Sequence, residues 1–452
     1  MLFERLNSLE SKKHEVFFVG DRNEPVTFAQ IIEHRDKAKA RLEKFGVGAG
    51  HVVALPGDYQ LESFAFLLAL IELKAIIVPL APLQADSWPL IKKLVQAEYL
   101  VDTFSSPATI VRAAETSATH PIYAELRNRE HAGLVLLSSG TTGQPKAVVH
   151  DFELFLKRFS EPPRPLRSVA FMRFDHVGGI YNFFSCLFNL GFMAYSLERT
   201  PDKIGELIQK HRLEFLPASA SFLNILLVSR PWEKFDLSSL KFVVYGTERA
   251  NPATIKKISA ELPLVKFHQN YGLSEIGLLR SVSKGNDSVW LKIKDDQAQV
   301  RVRDGILEVR SELTMLGYLN ADHQITDDGW YVTGDLAEEH DGWLKVIGRK
   351  SDLIRVAGLG VHPAEIEDII MQMPQVIDVV VGREDNLLIG EVVVATVQVA
   401  PSSADGASAS DMRKQVREFC AGRMDAYKIP SKIIVTGDIL YGTRFKKKRL
   451  AR

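Results

Sequence analysis

The apolar residues of this chain do not keep one period. Residues 28–45 (FAQIIEHRDKAKARLEKF) read as helix, 51–57 (HVVALPG) as a short strand, 62–73 (ESFAFLLALIEL) as helix again, and 75–81 (AIIVPLA) as strand. The same alternation returns in PDKIGELIQKHR, LEFLPAS, SFLNILLVS and LKFVVYG between 201 and 246. Helical patterns interleaved with β-branched runs predict α/β layers around a mostly parallel sheet over about residues 25–240. From 288 to 350 the runs shorten. AQVRVRDGILEVRS and WYVTGDLAEEHDGWLKVIG alternate around Asp-Gly pairs at 304, 328 and 341, which predicts antiparallel hairpins. After Gly348 a compact α+β segment is expected, with helices in PAEIEDIIMQM and DMRKQVREFCAGRM, strands in VIDVVVGRE and EVVVATVQV, and a polar loop at 401–410. Charged residues break two apolar patterns between Arg349 and Asp352, which sets the expected boundary: a large domain over 1–350 and a small one over 351–452.

Length and composition narrow the class. A chain of 452 residues exceeds what one core usually supports, and 46% hydrophobic with 25% charged residues is ordinary for a globular protein. Acidic and basic side chains balance at 56 each, so no overall field recruits nucleic acid or an acidic membrane. Cys186 and Cys420 are the only cysteines, too few for a disulfide framework, which fits the reducing cytoplasm. The N-terminal stretch lacks a basic region followed by an apolar run, so no signal peptide is expected. The most apolar window, from Phe64, is broken by Glu72 and Lys74 and reads as helix plus strand, not as a membrane span.

The chemistry concentrates in LVLLSSGTTGQPKAVVH, residues 134–150. Four aliphatic residues lead into Ser138, Ser139, Gly140, Thr141, Thr142, Gly143 and Lys146. The spacing is not that of a Walker loop. It nevertheless offers glycines that let backbone N–H groups approach an anion, hydroxyl donors and one ammonium. A plain connecting turn is the alternative for such a composition.

In its order, Ser-Ser-Gly-Thr-Thr-Gly-x-Pro-Lys, this loop resembles the signature of the adenylate-forming superfamily, which includes acyl- and aryl-CoA synthetases, peptide-synthetase adenylation domains and firefly-type luciferases. NYGLSEIG (270–277) resembles its second core motif. The resemblance implies that Tyr271 stacks near adenine, Gly272 lines the acid pocket, Ser274 meets the α-phosphate and Glu275 holds Mg²⁺. Capping of a short helix is the plainer reading of Tyr-Gly here. YGTERAN (245–251) looks like the adenine wall, with Gly246, Thr247 and Glu248. GWYVTGDL (329–336) looks like the ribose site, where Asp335 would accept from both hydroxyls. GRKSDLIRVAGLGVHPAEIE (348–367) resembles the hinge and the start of the small domain. Arg349 would contact the nucleotide, Ser351 sits at the pivot in place of a charged residue, and Gly358 and Gly360 would line a thiol tunnel. Counting from Pro430 places the family's terminal catalytic lysine at Lys446. Lys447 competes with it, and a solvated KKKR tail is the plain alternative.

The fold so implied is α/β: a large N-terminal domain of layered subdomains with a small barrel-like part, and a small mobile α+β C-terminal domain. The implied function is ATP- and Mg²⁺-dependent conversion of a carboxylic acid to an acyl adenylate, then transfer to a thiol, most simply coenzyme A. The acid pocket is expected in FMRFDHVGGIYNFF (171–184), lined by His176, Val177, Tyr181, Gly246 and Gly272. If His176 takes the family's aromatic-or-histidine position, Val177 stands where amino-acid-activating relatives carry an aspartate, which argues for an acid without an α-amino group. Asp175, one residue earlier, restores that pairing if the register shifts. Phe183 and Phe184 fit a pocket wall or plain core. Three other readings stay open: loading of a separate acyl carrier protein, a catalytically impaired nucleotide binder, and a nucleic-acid binder using FKKKR.

Overall fold

The computed structural model describes residues 12–82, 87–138, 145–159, 165–322, 324–400, 404, 406–442 and 447. Two seven-stranded sheets carry the strands up to Gln269, and Gly317–Tyr318 joins the second of them. One runs, across the sheet, through Lys266–Gln269, Phe242–Gly246, Phe215–Ser219, Arg167–Val169, Phe192–Ala194, Val16–Val19 and Pro25–Thr27. It is parallel except at its last pair. The other has a parallel centre formed by Val52–Pro56, Ile76–Leu80, Tyr99–Asp102 and Gly133–Ser138. Antiparallel strands flank that centre, including Lys146–Asp151. The single mostly parallel sheet expected from the alternation is therefore two sheets. Periodicity reports that a strand is buried but not which neighbours it pairs with.

The uninterrupted apolar runs follow from burial on both faces, as parallel strands require. Val53, Leu55, Ile77, Leu134 and Leu136 turn toward the large central cluster, shared with Phe17, Phe64 and Phe183. Val52, Ala54, Ile76, Val78 and Val135 turn the other way, against Tyr123 and Leu126. The helix Leu61–Glu72 is consequently buried at every residue from Ser63 to Ile71. The helix Phe28–Lys44 starts where the Thr27 side chain accepts from the Gln30 backbone and the Gln30 side chain answers to the Thr27 N–H, a reciprocal cap.

Next comes a six-stranded antiparallel sheet. Its hairpins turn at Asp304-Gly305 and Asp341-Gly342, all four residues with positive φ, as the Asp-Gly pairs predict. The pair at Asp328-Gly329 closes a smaller turn, bounded by the single bridge Ile325↔Tyr331. Residues from Ile354 to Ile433 share a separate cluster, formed by a five-stranded sheet and the helices Pro363–Ile370 and Gly406–Ala421. Among the described residues no helix is long and apolar enough to cross a membrane.

Candidate active site

The strand Gly133–Ser138 runs up to the Ser/Thr/Gly segment, and Lys146–Asp151 returns antiparallel beside it, with Ser138 opposite Lys146. The Ser/Thr/Gly segment thus joins two strands of a hairpin. Ser139, Gly140, Thr141, Thr142 and Gly143 lie outside the described residues. Both sides of the loop's exit are pinned by Asn320, whose Oδ1 accepts from Ala147 N at 3.0 Å and whose Nδ2 donates to Pro145 O at 3.0 Å. Lys146 Nζ lies 5.0 Å from the centre of the Tyr318 ring, within cation–π range.

That same tyrosine donates its hydroxyl to Glu275 Oε1 at 2.7 Å and lies 3.2 Å from the Tyr331 hydroxyl. Burial, followed by the Glu275 charge, pushes the Tyr318 hydroxyl above its ordinary range, so it remains a donor at neutral pH. Glu275 sits in the turn between Tyr271–Leu273 and Gly277–Leu279, a two-stranded ribbon. The helix-capping alternative for this motif fails, because no helix follows Tyr271-Gly272. A side chain on Gly272 would meet Gly277 O at 2.6 Å, so the ribbon needs glycine there. The Met315 N–H holds the Glu275 carbonyl at 2.7 Å, and His150 Nε2 lies 2.5 Å from the Ser274 carbonyl. A carbonyl only accepts, so that nitrogen carries hydrogen. Burial keeps His150 below its ordinary 6.5 and therefore neutral at pH 7.

Asp335 and Arg349 face each other across paired strands. The Arg349 Nε is 3.2 Å from Asp335 Oδ1, and the Tyr271 hydroxyl donates to Oδ2 at 2.7 Å. Burial raises the Asp335 carboxyl, with the Arg349 charge pulling the opposite way. Burial and that carboxylate together hold the Tyr271 hydroxyl well above its ordinary range. Each carboxylate oxygen keeps acceptor capacity beyond its one partner.

The strand Phe242–Gly246 delivers Gly246 opposite Ser219. Thr247 follows at φ +69, an unusual backbone for a β-branched residue, and its Oγ1 is buried with no hydrogen-bond partner among the described residues. The Ser221 Oγ is in the same position. A buried orphan hydroxyl destabilises by about 1–3 kcal/mol, which a ligand's polar groups would relieve. Glu248 has both oxygens engaged: Oε1 accepts from Ser221 N at 2.9 Å at the start of the helix Ala220–Ser229, and Oε2 from Lys447 N at 3.2 Å. Lys446 lies outside the described residues. Lys447 Nζ sits 2.7 Å from Val379 O, 3.2 Å from Asp378 and 3.5 Å from Glu367.

In the expected acid pocket, His176 caps the helix Val177–Phe188, its Nδ1 accepting from Gly178 N at 3.0 Å. Val177, Phe183 and Phe184 belong to the central cluster. Tyr181 packs 4.7 Å from Phe159, ring centre to ring centre. Arg173 Nε donates to Asp175 at 3.0 Å. Ser351 lies in the short turn Lys350–Asp352 with its hydroxyl 3.3 Å from the Asp352 carboxylate. Gly358, at φ +84, shares the tight turn between Ile354–Val356 and Leu359–Val361 with Ala357, and Gly360 is exposed beside it.

His150, Tyr318, Asn320 and Tyr331 escaped the sequence reading. Their signals were slight: a histidine closing the returning strand, and Gly-Tyr-x-Asn at 317–320 outside any periodic run.

Two family models match: AMP-binding enzyme over residues 6–319, and AMP-binding enzyme C-terminal domain over 365–447. The chain belongs to the AMP-binding enzyme family. This AMP-binding enzyme is 26% identical to a 2-succinylbenzoate–CoA ligase of Listeria monocytogenes, over 94% of the chain and 93% of that protein. It is 25% identical to the long-chain-fatty-acid–CoA ligase FadD13 of Mycobacterium tuberculosis, over 86% and 80%. The fold matches that of the anthranilate CoA ligase AuaEII in complex with anthranoyl-AMP (TM-score 0.81, 18% identity, 98% and 95% covered). It also matches ATP-bound MatB from Rhodopseudomonas palustris (TM-score 0.79, 19% identity, 97% and 96% covered).

Proposed function

We propose that this AMP-binding enzyme joins a carboxylic acid to a thiol in two steps, with ATP as the activating substrate and coenzyme A as the acceptor. One observation carries the reading: Lys146, at the end of the phosphate loop, and Glu275, from a motif far along the chain, meet on the two sides of one tyrosine, Tyr318. A loop ammonium and a carboxylate so close suit a magnesium–triphosphate group, which pairs anionic oxygens with the first and a hard cation with the second.

In the first step a carboxylate oxygen attacks the α-phosphorus, and the bond to pyrophosphate breaks. Nucleophile and electrophile are both anionic, so positioning and charge neutralisation dominate. Ser138 through Gly143 and Lys146 hold the departing phosphates, Lys446 neutralises the carboxylate and α-phosphate, and Asp335 with Arg349 orients the ribose. The unpartnered Thr247 hydroxyl and Gly246 face the base. A single carboxylate, Glu275, fits magnesium, which takes one or two protein carboxylates and completes its shell with phosphate and water. When bound, that ion supplies positive charge to the phosphates.

In the second step the thiol attacks the acyl carbonyl and AMP leaves, after residues 351–452 turn about Ser351 against 1–350 and present Gly358 and Gly360. The acid lacks an α-amino group. Val177 is apolar and committed to the core, and Asp175, the one carboxylate that a shifted register would offer, is engaged by Arg173. The two buried cysteines suit a cytoplasmic enzyme.

Pyrophosphate release across a panel of aryl and fatty acids tests the whole reading. Release with one acid class, followed by thioester formation with coenzyme A, is expected. Thioester formation only with a carrier protein would reassign the acceptor, and no release with any acid would overturn the proposal.

A further inference from the structure

Three contacts tie the run from Glu248 to Asn251, at the edge of the candidate nucleotide site, to the last part of the chain. Glu248 Oε2 accepts from the Lys447 backbone at 3.2 Å. Arg249 grips Asp368 through both terminal nitrogens, one at 2.9 Å from Oδ1 and the other closer still on Oδ2. Asn251 caps the helix Pro252–Glu261 with its Oδ1 and donates its Nδ2 to the same Asp368 at 2.8 Å. Bidentate arginine–carboxylate geometry is specific, and both side chains are largely buried, at 13% and 25% exposure. Asp368 lies on the helix Pro363–Ile370, whose neighbouring Glu367 faces the Lys447 ammonium.

Lys447 is held separately. Its ammonium contacts the Val379 carbonyl, Asp378 and Glu367, and both carboxylates are at most 5% exposed. Glu367 spends its other oxygen on Val381 N at 3.0 Å. Burial pushes the ammonium toward losing its proton, but Glu367, Asp378 and Glu248 together outweigh burial and hold it above its ordinary range. An ammonium locked against two buried carboxylates is not available to a substrate.

We propose that Arg249, Asn251 and Asp368 are a latch that holds residues 351–452 in the acid-activating position, and that Lys447 is an anchor against Glu367 and Asp378 and makes no substrate contact. The proposal rests on the two-step reading above. These are positioning residues: breaking the latch impairs acid activation, which needs the terminal segment at the nucleotide, and leaves thiol transfer, which needs it withdrawn.

Two measurements on the full chain test it. The first compares pyrophosphate release with thiolysis of supplied acyl adenylate in Arg249→Gln, Asp368→Asn and the exchanged pair Arg249→Asp/Asp368→Arg. Acid activation should fall about tenfold or more in the single variants, change less than about twofold in thiolysis, and recover in the exchanged pair. The second uses nitroxide labels at Leu264→Cys and Leu388→Cys, positions 92% and 93% exposed, while the native cysteines stay buried. The interspin distance distribution should gain a second population in Arg249→Gln and lose it in the exchanged pair. Single variants that leave both activation and the distribution unchanged overturn the latch, as does equal loss in the two half-reactions. If the wild type activates no acid but the distances respond as stated, the latch stands and the functional reading falls.

Discussion

Two buried charge clusters in this protein are built on opposite principles. Around Lys447 one ammonium meets two carboxylates and a carbonyl, and the surplus of acceptors holds it. Around Asp335 one carboxylate meets one guanidinium that is 49% exposed and one phenol, and burial leaves the acid raised. The first is closed and fully satisfied, as a fixed structural tie must be. The second keeps acceptor capacity and an open cation, so incoming hydroxyls can join it without displacing a partner. The degree of satisfaction, more than burial, separates the anchoring cluster from the ligand-ready one.

The sharpest way to break the comparison is to remove the adjacent lysines one at a time. Lys446→Ala should lower acid activation by about a hundredfold or more, the scale of losing a charge that stabilises the transition state, with thermal stability unchanged. Lys447→Ala should instead destabilise the protein by about 3–5 kcal/mol, since it strands Glu367 and Asp378. Thermal melts beside pyrophosphate assays read both. A stable Lys447→Ala with no acid activation would mean that the catalytic lysine is one residue later than the motif spacing places it.

Asp335 comes next. Asp335→Asn keeps the shape and removes the charge that pairs with Arg349 and that the proposed ribose contact would use. A hydrogen bond to a charged group contributes about 1.5–3 kcal/mol, so KM for ATP should rise by roughly ten- to a hundredfold with a smaller change in kcat. Initial rates at varied ATP check this. An unchanged KM would detach Asp335 from the nucleotide and leave it a structural partner of Tyr271.

The two clusters also differ in how much of them the sequence disclosed. Asp335, Arg349 and Tyr271 stand in motifs whose residue order is specific, and the Asp-Gly turn at 341 sets the register that brings the first two together. Glu275 was legible for the same reason. Its partner Tyr318 was not, because an aromatic next to a glycine reads equally well as core, and only the return of Gly317–Tyr318 against the strand Lys146–Asp151 puts its hydroxyl at the carboxylate. The Lys447 cluster could not be read at all. Its members are close only because the strands Asp378–Asn386 and Gly390–Gln398 and the helix Pro363–Ile370 share one core, and a basic run at a terminus looks like a solvated tail. The division into two sheets escaped for a related reason: pairing partners are set by tertiary contacts that local periodicity does not encode.

Tyr318→Phe sharpens the contrast at intermediate cost. It removes the donor to Glu275 and leaves the ring beneath Lys146. A hydrogen bond to a charged group contributes about 1.5–3 kcal/mol, and the partly exposed Glu275 takes the lower end of that range. The magnesium concentration for half-maximal activity should therefore change several-fold, while KM for the acid stays the same. Titration of activity with magnesium decides it, and an unchanged midpoint would remove Tyr318 from the metal's surroundings.

The smallest effect belongs to His150, which packs behind the glutamate turn. Its Nε2 hydrogen bonds the Ser274 carbonyl, and burial holds it below its ordinary 6.5 despite that carbonyl and the Glu275 charge, both of which favour the cation. A histidine with a lowered folded value binds its proton more readily when unfolded. Its contribution to stability is therefore fully present above 6.5 and is lost as the pH falls through the folded value. Asp335 works in the opposite sense: its raised carboxyl favours the folded state most below the ordinary value of 3.8, and that advantage fades as the pH rises through the folded value. Acidification below 6.5 should therefore lower stability through the imidazole, and Asp335 should offset part of that loss at lower pH. His150→Gln, which can still donate to Ser274, should remove the part of the decline due to the imidazole while leaving the neutral-pH melt within about 1 kcal/mol of wild type. Denaturant midpoints measured along the pH series separate the two, and an acid limb of unchanged slope in His150→Gln would remove the imidazole as its cause.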